Sequence, residues 1–385
     1  MTVARADAKP GRRRAVPQGR SRRKRVPRPQ AADSGAPLGP ATGHDLETPE
    51  PIPPPKPARV RRWPGLLFRT LWTVLVLAGL IAVAPAWTPY DAPAWVTNAG
   101  AVTLTTTSAF ALAVRTGGRP LLTGGLTLVL ACAAVLTQQP MLLAAAAIST
   151  ATIGTVLGVM VTIPAARVPA VARECLVAVV VAATAAFAAD AYDPRVSLER
   201  AGYLVLGLSL LGALALAYRL AAGLHGLGRR GAVMLVSGLG LLAVSLAYTE
   251  ALGRWGSQEL VDSFERSTRD LAHLVGAIPR PTEFLLGIPA LAWGVSTRAR
   301  RRQGWWGTGF GAAGLAVVAT SLLDPEVVLV EVGLATAYSL VVGLVLGYLV
   351  IRADSFLSGA RGRRARRIEE ASAHRPEPGR THPLL

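Results

Sequence analysis

Charged side chains are scarce in this sequence. Only 17% of its 385 residues are charged, while 51% are hydrophobic. A soluble domain carries about 25% charged residues. Charge and proline concentrate in residues 1–63 and 352–385, which leaves the centre still more apolar. This composition excludes an ordinary water-soluble fold and predicts a membrane protein.

Residue types that often act in catalysis or metal binding are also absent from the apolar centre or rare in it. Lysine occurs only at Lys9, Lys24 and Lys56, which excludes a Walker A phosphate loop and a Schiff-base lysine there. No histidine falls in an apolar stretch, which disfavours histidine-based catalysis or metal binding. The two cysteines, Cys132 and Cys175, lie inside apolar stretches, where neither a disulfide framework nor a metal site is expected. The sequence therefore predicts no catalytic residue, no metal and no cofactor, and it favours a protein that is not an enzyme without deciding the question.

The fold class follows from the apolar runs, which recur from Trp63 onward about every 25 to 30 residues. A helix of about 20 apolar residues crosses a bilayer. We predict an all-α fold, a polytopic transmembrane helix bundle over residues 64–351, with the eighth and shortest span interrupted by Pro289. About ten spans are expected, at 65–85, 95–114, 120–137, 141–163, 172–190, 201–219, 232–252, 282–297, 304–322 and 327–350.

The arginines predict the orientation, because cytoplasmic loops retain Lys and Arg near span ends. An inside amino terminus places Arg115 and Arg298 on the same side as most other loop arginines. Both tails then lie in the cytoplasm: a disordered, basic and Pro-rich tail at 1–63 and a basic tail at 352–385. The predicted location is the cell (inner) membrane, with multiple passes and both termini inside.

The residue pattern of an outer segment, at about 257–276, predicts an amphipathic helix. Ser257 can cap its start, and Gly276 with Pro279 can end it. An apolar stripe including Leu260 and Phe264 would lie on the bundle or in the membrane interface.

Two stretches resemble each other within the chain. Residues 109–140 and 290–325 each contain an apolar run, a turn at arginines and a second run that ends near a proline. If the repeat is real, it indicates the construction of a transporter, with parallel repeats. The alternative is chance similarity between Ala-, Leu-, Val- and Gly-rich segments, and the sequence alone favours chance.

Hydroxyl groups near the middle of three spans are the main candidates for a functional site. Facing one another, they could line a polar path for a small solute. The alternative, which we favour, is that they bond their own i−4 carbonyls and allow close helix packing. The candidate path residues are Thr106, Ser108, Thr150, Thr152, Thr155, Thr336, Tyr338 and Ser339.

Carboxylates give two further candidates. Glu331, just inside the last span, is the candidate embedded charge, although its shallow position favours a structural role. Asp190 and Asp193, with Asp91 on another loop, are outer carboxylates that could hold a divalent metal in a membrane glycosyltransferase. Their spacing is unspecific, and an acid pair at a helix end is more often only a solvated boundary.

Two basic runs are expected to meet the membrane surface. Neither carries interleaved aromatic residues, so nucleic acid is disfavoured and anionic lipid head groups are the expected partner. The Pro-rich stretch could also recruit a cytoplasmic protein to the amino-terminal tail. The basic residues are Arg22, Arg23, Lys24, Arg25, Arg361, Arg363, Arg364, Arg366 and Arg367.

The stretches FLLGIPALAWGVSTRARRRQGWW and GYLVIRAD, within residues 284–354, resemble multi-spanning membrane proteins of actinobacteria whose function is uncharacterised. The resemblance implies a setting in the cell envelope. It implies no activity and no site residue.

Three functional hypotheses remain open at this point. The first is a transporter or flippase-like permease for a small solute or lipid, based on span count and shared-depth hydroxyls. The second is a non-catalytic scaffold of the cell envelope or division machinery, based on few embedded charges and on tails suited to docking. The third is an enzyme of the membrane glycosyltransferase kind, acting on a lipid-linked substrate.

Overall fold

A computed structural model describes residues 65–90, 92–221, 236–244, 274–299, 304–357 and 377–385, with isolated residues between 232 and 266. Within these ranges the regular structure is helical, and no strand occurs. The helices are α1 Gly65–Val83, α2 Ala94–Arg115, α3 Pro120–Thr137, α4 Pro140–Val161, α5 Val168–Asp190, α6 Leu198–Leu220, α7 Ile288–Arg298, α8 Gly304–Thr320 and α9 Leu329–Leu357. A 3-10 turn, Ala84–Trp87, follows α1, and a π-helical turn, Thr282–Gly287, precedes α7.

Prolines mark the first turns of four helices, namely Pro120 in α3, Pro140 in α4, Pro169 in α5 and Pro289 in α7. The first N–H groups of a helix have no partner within it, so proline removes no hydrogen bond there. The break expected at Pro289 is therefore displaced. The π-helical turn ends at Gly287, and Pro289 belongs to the start of α7.

Six described helices, α1, α3, α4, α5, α6 and α9, are long and apolar enough to cross a membrane. Two others are short, since α7 has 11 residues and α8 has 17. The Thr-rich centre of α2 makes that helix less apolar than its length of 22 residues suggests. The fold is thus all-helical and compatible with membrane insertion, but the predicted number of ten spans is not confirmed.

α8 lies at the centre of the described bundle. It packs against α4, α5, α6, α7 and the π-helical turn, and 15 of its 17 residues are buried. Glycines bring the backbones together, because a Cβ at Gly287 would lie 2.3 Å from the Cα of Gly314. Small residues at helix contacts permit such close approach inside membranes.

The outer layer presents leucines rather than glycines. Leu121 and Leu126 of α3 are 70% and 63% exposed, and Leu67 of α1 is 69% exposed. Extended apolar surfaces on a folded chain mark contact with another apolar phase. In a membrane, these exposed sides of α1 and α3 would therefore face lipid.

Some expected elements fall largely outside the described residues. Of the predicted span 232–252, residues 236–244 are described as helical. Of the predicted outer helix, Leu274 and Val275 are helical, and Gly276 has a φ of +85°. Glycine in the left-handed region commonly ends a helix, in agreement with the terminator expected there.

The carboxyl-terminal region differs from the expected plain tail. α9 continues to Leu357, beyond residue 351 where the bundle was expected to end. Residues 377–385 lie against the bundle: the N–H of Leu384 donates to the carbonyl of Arg115 at 2.8 Å. We call these nine residues the 377–385 segment.

Candidate functional site

Three buried hydroxyl groups from α2, α4 and the turn after α5 form a hydrogen-bonded cluster. Oγ1 of Thr105 lies 2.8 Å from Oγ1 of Thr150 and 3.0 Å from the hydroxyl oxygen of Tyr192. Oγ1 of Thr105 is also 2.8 Å from the carbonyl of Ala101, so Thr105 can donate along its own helix while it accepts from Tyr192. Burial raises the pKa of Tyr192 to about 12, so its hydroxyl remains a donor. The cluster joins three elements of the bundle.

Three other candidate hydroxyls also connect structural elements. Thr155 Oγ1 donates to the carbonyl of Leu315 in α8 at 3.4 Å. Ser339 of α9 accepts from the backbone N–H of Arg280 at 2.8 Å, and the hydroxyl of Tyr338 donates to the carbonyl of Val275 at 3.0 Å. Ser339 and Tyr338 therefore contact the segment before α7.

The remaining candidates are Ser108, which is half-buried, and Thr106, Thr152 and Thr336. The last three have buried Oγ1 atoms without a hydrogen-bond partner among the described residues. Buried polar atoms in folded proteins are usually paired, so the absence of a partner for these three oxygens has to be explained.

The unpaired hydroxyls of α2 and α4 lie at different helix contacts. Phe110, one turn after Thr106, lies beside Gly124 of α3: a Cβ added to that glycine would be 3.2 Å from the Phe110 ring. Val156, one turn after Thr152, would meet a Cβ at Gly212 of α6 at 3.2 Å. Residues four apart share a helix face, so Thr106 faces α3 and Thr152 faces α6. The structure unites Thr105 with Thr150 but does not gather the eight predicted residues at one point.

The candidate embedded charge, Glu331, is exposed in the first turn of α9. There its negative charge is favourable beside the helix amino terminus. Glu283, in the π-helical turn, is instead only 1% exposed and pairs with Arg280 at 3.1 Å. Sequence reasoning missed Glu283 because it stands at the edge of an apolar run, where a carboxylate would be expected to reach water.

The outer carboxylates form a tight turn. The N–H of Asp193 donates to the carbonyl of Asp190 at 2.8 Å, and Asp193 has a φ of +49°. Asp91 lies outside the described residues. In the part of the chain that the structure describes, no three His, Cys, Asp or Glu side chains are grouped as metal ligands would be.

The predicted lipid-binding basic runs, at 22–25 and 361–367, also lie outside the described residues. Their role at a membrane surface stays a prediction.

An ionic cluster that was not expected lies at one end of the bundle. It comprises Arg115 at the end of α2, Glu174 near the start of α5 and Arg298 at the end of α7, all less than 9% exposed. We call these three residues the ionic cluster. Buried charges require pairing or hydrogen bonds, and each member finds such partners in the bundle and in the 377–385 segment.

Arg298 makes contacts on three sides. Its Nη1 donates to Oγ1 of Thr162, and its Nη2 donates to the carbonyl of Thr162, both at 2.8 Å. Nη2 also lies 2.7 Å from Oε2 of Glu377 in the segment. The guanidinium carbon stands 3.7 Å from the ring centre of Trp305, a cation–π contact.

Arg115 binds backbone carbonyls. Its Nε donates to Met160 at 2.8 Å, and its Nη1 faces the carbonyls of Pro378, Gly379 and His382 at 3.2, 2.8 and 2.9 Å. Carbonyl oxygens thus stabilise Nε and Nη1 without a carboxylate in direct contact, while the buried Nη2 has no hydrogen-bond partner among the described residues.

Glu174 completes the ionic cluster. Its Oε2 accepts from the N–H of Ile163 at 3.0 Å, and its Oε1 accepts from Arg173 and from Arg380 of the segment. In the bundle, Glu174 thus accepts a hydrogen bond from Arg380, and Arg298 donates one to Glu377.

Orientation reasoning placed Arg115 and Arg298 on one side, and the structure brings both to the same end of the bundle. It did not predict that residues 377–385 bind there. The charges Glu377 and Arg380 were a weak signal, because nothing in the sequence separates them from the other charges of the tail.

The fold defines an all-helical protein with several helices suited to a membrane. Comparisons of the chain with protein-family models, curated proteins and solved structures found no match.

Proposed function

We propose that this chain is a non-catalytic membrane scaffold of the cell envelope or division machinery. The observation that carries the proposal is that polar side chains of the interior join helices, as in the cluster of Thr105, Thr150 and Tyr192. Interhelical bonds of this kind stabilise a fixed arrangement, at about 0.6 kcal/mol each in membranes.

Close packing supports the same proposal. One cluster of buried apolar residues extends through α2, α4, α5, α6, α7 and α8. At the contact of α4 with α5, a Cβ on Gly154 would lie 2.1 Å from the Cβ of Ala185. Such tight contacts resist sliding, because packed interiors switch between discrete arrangements rather than deform smoothly.

The scaffold would act through residues 1–63, whose basic and Pro-rich sequence suits docking to anionic lipid or to a cytoplasmic protein. Single-molecule tracking in the cell membrane tests this role. We expect the intact chain to move slowly and within confined regions, and a chain without residues 1–60 to diffuse freely. Equal diffusion of the two would count against a scaffold.

A second candidate, a permease for a small polar solute, is favoured by the buried oxygens of Thr106, Thr152 and Thr336 that lack partners among the described residues. Water or a polar solute in another conformation would satisfy them.

Thiol labelling separates the two proposals. In a chain with Cys132 and Cys175 replaced by Ala, single cysteines are placed by Thr106→Cys, Thr152→Cys and, as the exposed control, Arg119→Cys. Small membrane-impermeant thiol reagents are then added from each side of the membrane. A scaffold predicts labelling of the control alone. Reaction at Thr152→Cys would contradict the closed interior and favour the permease.

A further inference from the structure

The end of the bundle that carries the ionic cluster has the properties of a peptide-binding site. We propose that Arg115, Glu174 and Arg298 form a receptor for the 377–385 segment, Glu-Pro-Gly-Arg-Thr-His-Pro-Leu-Leu, and that it binds this peptide even without a covalent link. The ligand class is a short peptide with a carboxylate three residues before a guanidinium. This proposal stands independently of the scaffold function.

The receptor side is held together by contacts within the bundle. Arg298 of α7 is bonded to Thr162, which follows α4, and Glu174 of α5 accepts from Ile163 in the same loop. The N–H of Ala165 in that loop donates to the carbonyl of Val295 in α7 at 3.3 Å. None of these bonds involves the segment, so they can hold the receptor together without the peptide.

Two ion pairs of opposite sense fix the direction of the peptide. Glu377 faces Arg298, with a second contact of 3.4 Å from Nε to Oε1, and Arg380 faces Glu174. A peptide bound in the reverse direction would place like charges together. Charge pairs that are partly or fully desolvated discriminate strongly between partners.

Arg115 recognises the shape of the peptide backbone. Its Nη1 reaches three carbonyls because residues 379–382 form a turn, closed by the N–H of His382 donating to Gly379 at 3.0 Å. An extended peptide could not bring the carbonyls of Pro378 and His382 to one nitrogen. The site therefore selects a turn as well as a charge pattern.

The last two residues add apolar and steric contacts. Leu384 packs against the main apolar core. Gly117 has a φ of +71°, and a Cβ there would lie 2.7 Å from the carbonyl oxygen of Leu385. Any larger residue at 117 would strain the backbone and press on the segment.

The experiment uses the chain without residues 377–385, in nanodiscs of zwitterionic lipid, and a fluorescent synthetic peptide of sequence 377–385. Zwitterionic lipid limits binding of the peptide to the membrane surface. We expect a saturable rise in fluorescence anisotropy. Peptides carrying Glu377→Gln or Arg380→Gln should bind about 30-fold more weakly or worse, because each removes one ion pair with a buried charge of the receptor.

A reciprocal variant checks the assigned contact. In the shortened chain, Glu174→Gln should weaken binding of the native peptide, while the Arg380→Gln peptide should lose little more on this variant. A full additive loss would show that Glu174 and Arg380 do not act as a pair.

A full-length variant keeps the proposal testable if the shortened chain does not fold. The double substitution Glu377→Gln with Arg380→Gln weakens the attached segment, so the native peptide should bind this chain more tightly than it binds the unaltered protein. Arg363→Gln, in the same tail, is the matched control and should leave peptide binding unchanged. Failure of the native peptide to bind either the folded shortened chain or the double variant would overturn the proposal, as would equal binding of the altered peptides.

Discussion

α3 and α8 occupy corresponding places in the two similar stretches of the sequence, yet their surroundings are opposite. α3 has three buried residues out of 18, whereas α8 has 15 out of 17. α3 contains six leucines and two glycines, while α8 contains one leucine and five glycines. Both are apolar, so hydropathy alone does not distinguish a lipid-facing helix from one enclosed by protein.

The difference in glycine content does distinguish them. Inside a membrane, lipid is as apolar as leucine, so helices associate through close packing rather than through the hydrophobic effect. Glycine permits that packing, and leucine fills space against lipid. The repeat suggested by the sequence therefore gives no matching environments in the structure.

Leucine truncation should give the largest contrast between the two helices. Leu315 of α8 is fully buried, and Leu315→Ala should lower the free energy of unfolding by about 2 kcal/mol or more through cavity formation. Leu126→Ala in α3, which removes a side chain that is 63% exposed, should change it by less than about 0.5 kcal/mol. Unfolding in mixed detergent micelles measures both, and similar losses would show that α3 is also enclosed.

Replacing a glycine by alanine should give the second-largest effect on stability. Gly287→Ala would force the backbone of α8 away at Gly314, at a cost of about 1–3 kcal/mol. Gly125→Ala in α3 meets no atom within 4 Å and is the matched control. Thermal unfolding in detergent should show a lowered midpoint for Gly287→Ala alone, whereas an unchanged midpoint would rule out the close crossing of α8 with the π-helical turn.

Loss of a hydroxyl should give the smallest effect. Thr105→Val removes one hydrogen bond to α4 and one to the turn after α5, and should cost about 1 kcal/mol. Thr123→Val in α3 removes a bond to its own helix, to the carbonyl of Arg119, and should be nearly neutral. A double-mutant cycle with Tyr192→Phe measures the coupling. If the two losses are additive, Thr105 does not bond to Tyr192.

The helical fold could be predicted from the sequence because length and hydropathy report on each helix separately. α3 matches its expected bounds of 120–137, and five other described helices begin and end within a few residues of the expected spans. The number of membrane-spanning helices was harder to predict from the sequence. α7 and α8 owe their positions to contacts between glycines on different elements, and a single-helix pattern contains no record of such contacts.

The candidate site was less predictable for a related reason. The pattern placed Thr150 among the hydroxyls near the middle of the spans. The contacts of Thr105 with Thr150 and Tyr192 depend on how α2, α4 and α5 rotate against one another. The contacts between the ionic cluster and the 377–385 segment include residues more than 200 positions apart along the chain, such as Glu174 and Arg380. Charge placement put Arg115 and Arg298 on one side, where the structure also brings them together, but it did not indicate their partners.

Lipid photolabelling of the intact chain tests most directly the claim that protein encloses α8 while one side of α3 faces lipid. The protein is placed in bilayers that contain an acyl-chain carbene precursor, irradiated, digested and mapped by mass spectrometry. We predict adducts along Leu121–Leu136 of α3 and none along Gly304–Thr320. Adducts in α8 at the level found in α3 would contradict the central position of α8.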